Sequence, residues 1–177
     1  MNIEIEERVL DIDVEEVTKK LEELNAIKIR EWNQKRYVYD FNPKRDNEWI
    51  RLRSNGEKTT LTYKNIKKNT IDGTKELEIE VSDFEKTNKL LNMLGYKHKA
   101  YQENKRIRYY LNDVEVDIDF WPLIPAYMEI EGKSIEKVKE VEELLEINKD
   151  KITSLNCQDI YSQVYGIDIN NIKELKF

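Results

Sequence analysis

The sequence is poor in the residue types on which several common kinds of site depend. Its 177 residues include one cysteine, Cys157, which excludes an intramolecular disulfide and a multi-cysteine zinc site. A single histidine, His98, argues against histidine-based catalytic triads and metal centres. With five glycines and three prolines, the chain is neither collagen-like nor of low complexity.

Long apolar runs are also missing. No stretch of about 18 apolar residues occurs, so the sequence predicts no membrane-spanning segment. The N-terminal residues MNIEIEERVL are acidic, unlike a signal peptide, which predicts a cytoplasmic protein. The net charge of −6 argues against broad nucleic-acid binding, which usually needs a basic surplus. We expect one domain over residues 1–177, since domains usually contain roughly 100–200 residues and no linker is evident.

Charged residues, by contrast, are abundant, at 37% of the chain against roughly 25% in an average protein. They alternate with apolar residues, and successive residues of a strand point to opposite faces. In 50–53, for example, the two arginines take one face and the two aliphatic residues take the other. The same alternation occurs in seven segments, which are 3–8, 50–53, 61–64, 76–81, 106–109, 114–119 and 128–131.

Apolar residues in four other segments follow the 3.6-residue period of amphipathic helices. Asp13, Ser82 and Ser134 are the predicted N-caps of the first three helices. Gly95 is predicted to end the second helix, and Gly166 the fourth. The predicted helices are 14–25, 83–94, 135–147 and 157–165.

The remaining segments are predicted mainly as strands. Asn55-Gly56 and Asn112-Asp113 are each predicted to form a tight turn between consecutive strands. The unit at 4–25 resembles the unit at 74–95, which suggests two related halves that close into one sheet. The predicted strands are 2–10, 27–31, 35–42, 48–54, 58–65, 75–82, 104–111, 113–120 and 126–132.

Two interpretations of the alternation differ in where the charged face lies. The simpler one is a half-buried antiparallel sheet whose charged face meets solvent. A solvated face, however, normally mixes uncharged polar residues with charges, and this one is almost all carboxylate, guanidinium and ammonium. We therefore expect an α+β fold in which a closed antiparallel sheet encloses the charges in a tunnel, with amphipathic helices covering its apolar outer face. Carboxylates there suit hard cations, and basic groups suit phosphate oxygens.

The charged motifs follow one another in a recognisable order. The first reads Glu4-Ile5-Glu6-Glu7-Arg8. The later ones are Ile50-Arg51-Leu52-Arg53, Leu61-Thr62-Tyr63-Lys64, Glu76-Leu77-Glu78-Ile79-Glu80, Lys105-Arg106 with Tyr109, Val116-Asp117-Ile118-Asp119 and Glu129-Ile130-Glu131. This series resembles the CYTH proteins, the superfamily of triphosphate tunnel metalloenzymes, whose N-terminal signature is Glu-x-Glu-x-Lys. The superfamily includes class IV adenylyl cyclases, thiamine triphosphatases and inorganic triphosphatases. The resemblance implies that the closed sheet is an eight-stranded antiparallel β-barrel.

The resemblance implies a role for each matching residue. The implied metal ligands are Glu4, Glu6, Asp119, Glu129 and Glu131. The implied phosphate-binding residues are Arg8, Arg51, Arg53, Lys64, Arg106 and Arg108, of which Arg108 matches the family pattern less firmly. The candidate catalytic residues are Arg8, Lys64, Glu76 and Glu78, with the two glutamates orienting basic residues or holding a second metal. Arg8 stands where the family usually has lysine, and an arginine cannot easily carry a proton.

The resemblance also implies an activity, namely that of an enzyme that depends on Mg²⁺ or Mn²⁺ and acts on a small-molecule triphosphate or nucleotide. We expect triphosphate hydrolysis, because no motif for reading a base or a ribose is evident. The alternative is an adenylyl cyclase that converts ATP to cyclic AMP and pyrophosphate, since the tunnel residues look alike for both. The pattern is also compatible with a non-catalytic module that binds polyphosphate or nucleotide, and with a structural domain that has a solvated charged sheet.

Two segments outside the motifs have open roles. The stiff apolar loop 121–125 either packs in the interior, covers a tunnel mouth or forms a subunit contact in a homodimer. The basic stretch 64–75 is either a flap over the substrate or a solvated loop.

Overall fold

One curled sheet with helices on its outside dominates the computed structural model, which describes all residues, Met1–Phe177. The strands are β1 (Asn2–Glu4), β2 (Glu6–Val9), β3 (Ile27–Asp40), β4 (Glu48–Ser54), β5 (Thr59–Ile66), β6 (Thr74–Val81), β7 (His98–Leu111), β8 (Val114–Phe120), β9 (Tyr127–Glu131), β10 (Ile152–Thr153) and β11 (Glu174–Leu175). The helices are α1 (Val14–Glu23), α2 (Phe84–Met93), α3 (Ile135–Leu144) and α4 (Cys157–Asp159), which continues into a π-helical turn, Ile160–Val164. Short 3₁₀ turns occupy Lys149–Lys151 and Ile169–Asn171.

The two ends of the sheet meet on the N-terminal segment. The strand order is β1-β6-β5-β4-β3-β7-β8-β9-β2, and β1 and β2 are successive parts of one stretch of chain. Glu4 pairs with Thr74 of β6, and Glu6 pairs with Glu131 of β9. With β1 and β2 counted together, the ring has eight strands, all joined by antiparallel pairs. The predicted α+β fold with an eight-stranded antiparallel sheet is therefore confirmed.

Most of the apolar outer face is buried under helices. Leu21 of α1 and Val138 of α3 pack with Val116, Ile118 and other residues on the outside of β2, β7, β8 and β9. On the opposite side, α2 forms a smaller core with β3 and β4, which consists of Tyr39, Leu52, Phe84 and Leu91. The apolar side chains thus point outward and the charged ones inward, as the alternation predicts.

The helices leave one part of the outer face uncovered. Ile3 on β1 and Leu77 and Ile79 on β6 are each more than half exposed, at 57%, 52% and 53%. The expectation that helices cover the whole apolar face is therefore wrong for β1 and β6.

Several predicted element boundaries differ from the structure. The predicted strands 27–31 and 35–42 form one strand, β3, because residues 32–34 continue the ladder with β7. The predicted strand 2–10 is interrupted at Ile5, where the chain passes from β1 to β2. The predicted N-cap Ser82 is also wrong, since the side chain of Asp83 accepts the backbone N–H of Lys86.

The predicted turns and the other caps are confirmed. Asn112 and Asp113 both have positive φ, 51° and 66°, as a two-residue hairpin turn requires. Gly95 follows α2 with φ of 93°, a conformation that strains residues with a Cβ atom. Asp13 and Ser134 accept backbone N–H groups at the starts of α1 and α3.

None of the helices combines the length and the apolar character that crossing a membrane would require.

Candidate functional site

Buried charged side chains line the inside of the curled sheet. Glu6 and Arg8 of β2, Lys64 of β5 and Asp119 of β8 are all at most 9% exposed. A solvated charged face would leave them in water, so the structure excludes that interpretation. The charged residues on this face include Glu4, Glu6, Arg8, Arg36, Arg51, Arg53, Lys64, Glu76, Glu78, Arg106, Arg108, Glu115, Asp117, Asp119, Glu129 and Glu131.

Three carboxylates converge where β2 runs beside β9. Glu6 is in register with Glu131, and Arg8 with Glu129, so alternate residues of both strands point to the same interior. One carboxylate oxygen from each of Glu6, Glu129 and Glu131 lies within 4.8 Å of the others. We call these three residues the carboxylate cluster. It contains three of the five metal ligands that the sequence implies.

With all three carboxylates ionised, the carboxylate cluster would carry more negative charge than its neighbours neutralise. Glu131 makes no ion pair or side-chain hydrogen bond, unlike the other two. Burial raises the pKa of Glu131 to about 8, and repulsion from Glu6 and Glu129 adds to the effect. Burial also raises the pKa of Glu6, against the opposing charge of Arg8. A divalent cation would relieve this repulsion.

Arg8 supplies a positive charge beside the carboxylate cluster. Its Nη2 lies 2.7 Å from Glu6 and 2.8 Å from Glu129, and its Nη1 donates to the carbonyl of Leu155 at 3.1 Å. Burial opposes the charged form, but the charges of Glu6 and Glu129 hold the pKa of Arg8 well above its usual value. Arg8 therefore stays protonated and orients two of the three carboxylates.

Hard oxygen donors of this kind fit Mg²⁺ or Mn²⁺, which bind through a few carboxylates together with substrate oxygens. The fit rests on the unpaired Glu131 and on the short separation of the three carboxylates. The remaining two implied ligands lie in ion pairs instead. Glu4 accepts from Lys64 at 2.8 Å, and Asp119 lies 2.5 Å from Arg106.

Lys64 and its partners form one wall of the interior. The Lys64 ammonium lies 2.8 Å from Glu4 and 3.0 Å from Glu76, its register partner on β6. Glu78, two residues along, accepts the Thr62 hydroxyl at 2.7 Å and lies 3.4 Å from Arg51. The two glutamates thus contact basic residues, as an orienting role requires.

Arg106 sits in a dense network of acids. Its Nε and Nη2 contact Asp119 at 2.7 and 2.5 Å, and its Nη1 contacts Asp117 at 2.6 Å. The same Nη2 lies 3.1 Å from Glu129. Arg108 adds two contacts of 2.7 Å to Asp117. These short, charge-assisted bonds occupy most of the Arg106 donors, so its implied phosphate contacts stay a prediction.

Arg51 and Arg53 on β4 are much less neutralised. Arg51 is 3.4 Å from Glu78 and 3.8 Å from Glu76, and Arg53 is 3.6 Å from Glu78. The charge of Arg51, followed by burial, lowers the pKa of Arg53 to about 9. Because these two arginines make only long ion pairs and share Glu78, their charge is only partly compensated and they can bind an anion.

Arg36 lies beside Arg51 and Arg53, and the sequence analysis missed it. It is 8% exposed and lies in register with Arg53. The signal was present, because in 36–39 Tyr37 and Tyr39 alternate with Arg36 and Val38. None of the motifs quoted in the sequence analysis covers this segment, so the resemblance did not select it. We call Arg36, Arg51 and Arg53 the arginine wall.

A cavity of about 860 Å³ is lined by Glu6 of the carboxylate cluster, Arg36 and Arg51 of the arginine wall, Arg8 and Lys64, among others. The lining also includes the basic residues Lys44, Arg45, Lys67, Lys68 and Lys99 and the acids Asp40, Asp46, Glu48 and Asp159. Part of the stretch 64–75 thus lines the cavity.

The start of the loop 121–125 packs in the interior, since Trp121 and Pro122 are buried, whereas Leu123 is 68% exposed. Trp121 is 4% exposed and belongs to a core with the C-terminal residues Ile160, Tyr161 and Ile169. The Tyr161 hydroxyl donates to the carbonyl of Pro122 at 2.6 Å.

The comparison with known families identifies the same family as the fold and the enclosed charges indicate. The family model of the CYTH domain matches residues 2–156, so the chain belongs to the CYTH family. A conserved hypothetical protein from Pyrococcus furiosus is 25% identical, with a TM-score of 0.76 over 87% of this chain and 97% of that one. No curated protein matched the sequence.

Two further solved structures share the fold at lower identity. One is a Vibrio parahaemolyticus protein whose name proposes an adenylate cyclase, 12% identical, with a TM-score of 0.77 over 91% of this chain and 98% of that one. The second is a Hippeastrum protein described as having a dominant triphosphatase activity, 16% identical, with a TM-score of 0.60 over 94% and 97% of the two chains.

Proposed function

We propose that this protein is a divalent-metal-dependent enzyme that hydrolyses a triphosphate bound in its charged interior. The observation that carries the proposal is the separation of charge around one cavity. Glu6 of the carboxylate cluster, whose member Glu131 is unpaired, lines the same cavity as Arg36 and Arg51 of the under-neutralised arginine wall. Membership of the CYTH family supports the same activity class.

The arginine wall and Lys64 are suited to hold the triphosphate oxygens. Guanidinium groups bind phosphate through pairs of parallel hydrogen bonds, and they do so best where water is excluded. Glu76 and Glu78 contact Lys64 and Arg51, so they hold these groups in place before the substrate arrives. Such preorganised charge stabilises the negative charge that shifts between oxygens during phosphoryl transfer.

Glu6, Glu129 and Glu131 would hold the metal, with Glu4 and Asp119 as further proposed ligands. The metal, when bound, neutralises phosphate charge and lowers the pKa of a bound water. Arg8 holds Glu6 and Glu129 by short ion pairs and stays protonated. Its role is therefore to position carboxylates and supply charge, and a proton-carrying role for this residue is not supported.

An adenylyl cyclase activity is the second candidate, because a cyclase uses the same triphosphate contacts. It additionally requires the ribose 3′-hydroxyl to be aimed at the α-phosphate. The name of the Vibrio parahaemolyticus structure favours testing it, although at 12% identity that likeness shows the fold alone. A non-catalytic polyphosphate-binding module is the third candidate.

A substrate panel separates these candidates. Tripolyphosphate, ATP and thiamine triphosphate are each incubated with Mg²⁺, with Mn²⁺ and with excess chelator, while phosphate, pyrophosphate and cyclic AMP are measured. Hydrolysis predicts metal-dependent phosphate release without cyclic AMP. Cyclic AMP with an equal amount of pyrophosphate from ATP would favour the cyclase. Saturable binding without turnover of any substrate would leave the binding module.

A further inference from the structure

Arg36 is a buried cation without a carboxylate partner. Its Nη2 donates to the side-chain oxygens of Asn104, at 2.5 Å, and Gln34, at 3.4 Å, which are both neutral amides. Its Nε is buried and has no hydrogen-bond partner. The indole face of Trp121 lies 4.5 Å from the guanidinium carbon. These contacts fix the guanidinium in place but leave its charge uncompensated.

Arg106 is a buried arginine in the same interior whose charge is neutralised by carboxylates. Arg36 and Arg106 are 8% and 7% exposed, yet Arg106 lies within 3.1 Å of Asp117, Asp119 and Glu129. Arg36 lies within ion-pair distance of no carboxylate. A buried charge without a partner is costly, and its persistence points to a partner that arrives from outside.

The neighbours of Arg36 increase this cost. Arg36 is directly opposite Arg53 in the ladder between β3 and β4, an arrangement that is destabilising for like charges. Burial, followed by the charge of Arg51, lowers the pKa of Arg36 to about 10, so the group still carries its charge at neutral pH. Arg36 also lines the cavity of about 860 Å³ together with Arg8 and Arg51.

We propose that Arg36 forms an additional anion subsite in this cavity and binds a phosphoryl group of a polyphosphate substrate through its guanidinium. The ligand class is a tetrahedral oxyanion with several unsubstituted oxygens. Asn104 and Trp121 hold the guanidinium ready without neutralising it, so no counter-ion must be displaced. The assignment rests on the proposed function for the identity of the substrate, but the subsite itself is defined by burial and missing charge.

Replacement of Arg36 by methionine tests the subsite, because methionine keeps an unbranched side chain and removes the charge. The ligand-free Arg36→Met protein is expected to melt at the same temperature as the wild type or higher, since an uncompensated charge is lost. Its affinity for tripolyphosphate with Mg²⁺, measured by titration calorimetry, is expected to fall about 10-fold to 100-fold, as for loss of a charge-assisted hydrogen bond. Lys86→Met, which removes one exposed charge from α2, is the control and should bind as the wild type does.

A purely structural role for Arg36 predicts the reverse result. Arg36→Met would then melt at a lower temperature and bind tripolyphosphate as the wild type does, and that outcome overturns the proposal. If Arg36→Met does not fold, Arg36→Lys decides, because lysine keeps the charge but lacks the planar fork. Weakened binding by Arg36→Lys supports the subsite, and unchanged binding overturns it.

Inorganic phosphate without metal separates this proposal from the proposed function. Binding of phosphate that Arg36→Met weakens would support the subsite even if the wild type turned over no triphosphate. In the opposite result, the wild type hydrolyses a triphosphate in a metal-dependent manner, and Arg36→Met binds phosphate and tripolyphosphate as tightly as the wild type does. That result would overturn the subsite and leave the proposed function standing.

Discussion

Glu6 of β2 and Glu131 of β9 are directly paired in register, so two carboxylates face each other inside the curled sheet. Like charges in directly opposite positions of an antiparallel pair are destabilising. Arg8 neutralises Glu6 but does not reach Glu131. This pairing is the clearest structural reason to expect a metal ion at the carboxylate cluster.

Glu131→Gln should stabilise the metal-free protein at alkaline pH. The folded-state pKa of Glu131 is about 8, above the ordinary value of 4.5, so the folded protein holds a proton that the unfolded chain has lost. Stability therefore falls as the pH rises from about 4.5 to about 8, and the substitution should reduce this fall. Urea unfolding at a series of pH values measures the effect.

The same variant should lose most of the stabilisation that Mg²⁺ or Mn²⁺ gives to the wild type. Glu23→Gln, an exposed position on α1, serves as the matched control. An identical pH dependence in Glu131→Gln and the wild type, together with equal metal-induced stabilisation, would refute the assigned role of Glu131.

Arg53→Ala should weaken tripolyphosphate binding while the ligand-free protein stays folded. The nearest acid to Arg53 is Glu78 at 3.6 Å, so its removal breaks no short ion pair. At a hundredfold excess of ligand over Kd, wild-type stabilisation should be about 2.7 kcal/mol. Thermal melts with tripolyphosphate and Mg²⁺ should show a smaller shift for Arg53→Ala than for Lys86→Ala. Equal shifts in the two variants would contradict phosphate binding by Arg53.

Arg106→Gln should destabilise the fold, in contrast to Arg53→Ala. It leaves Asp117, Asp119 and Glu129 without a shared cation. Removing one partner of a buried ion pair costs about 3–5 kcal/mol, because the remaining charges stay buried. Denaturant unfolding of the metal-free protein measures this loss. A free energy of unfolding within about 1 kcal/mol of the wild type would mean that the network contributes little.

Arg8→Lys should fold and keep turnover within about tenfold of the wild type, while Arg8→Gln should lose more. Both expectations follow from a role in charge and positioning, since lysine can still pair with Glu6 or Glu129 but lacks the planar fork. Steady-state rates over a range of pH test this. A rate for Arg8→Lys that rises above that of the wild type at high pH would instead indicate that a proton carrier is useful at this position.

The alternation of charged and apolar residues predicted the fold class because side-chain direction in a strand is a local property. It could not predict which charges pair, since pairing depends on strand neighbours far apart in the sequence. Asp119, for example, matched a metal ligand by motif, yet register places it opposite Arg106 on β7. Glu131 escaped such pairing because its register partners, Glu6 and Glu115, are both acids.

Arg36 shows a second limit of the sequence analysis. Its inward direction could be read from the alternation with Tyr37 and Tyr39, but its lack of a carboxylate partner could not. The same holds for the continuous strand β3, whose middle residues carry no clear alternation and are held by the ladder with β7. Tertiary pairing decided both features.

If the proposed function is right, a metal ion at the carboxylate cluster and a triphosphate at the arginine wall contact each other in the interior. Calorimetric titration of tripolyphosphate with and without Mg²⁺, and of Mg²⁺ with and without tripolyphosphate, measures this contact once it is corrected for the complex that the two form in solution. Each ligand should raise the affinity of the protein for the other by the same factor, well above one. Affinities that are independent of each other, or no binding of tripolyphosphate under any metal condition, would contradict it.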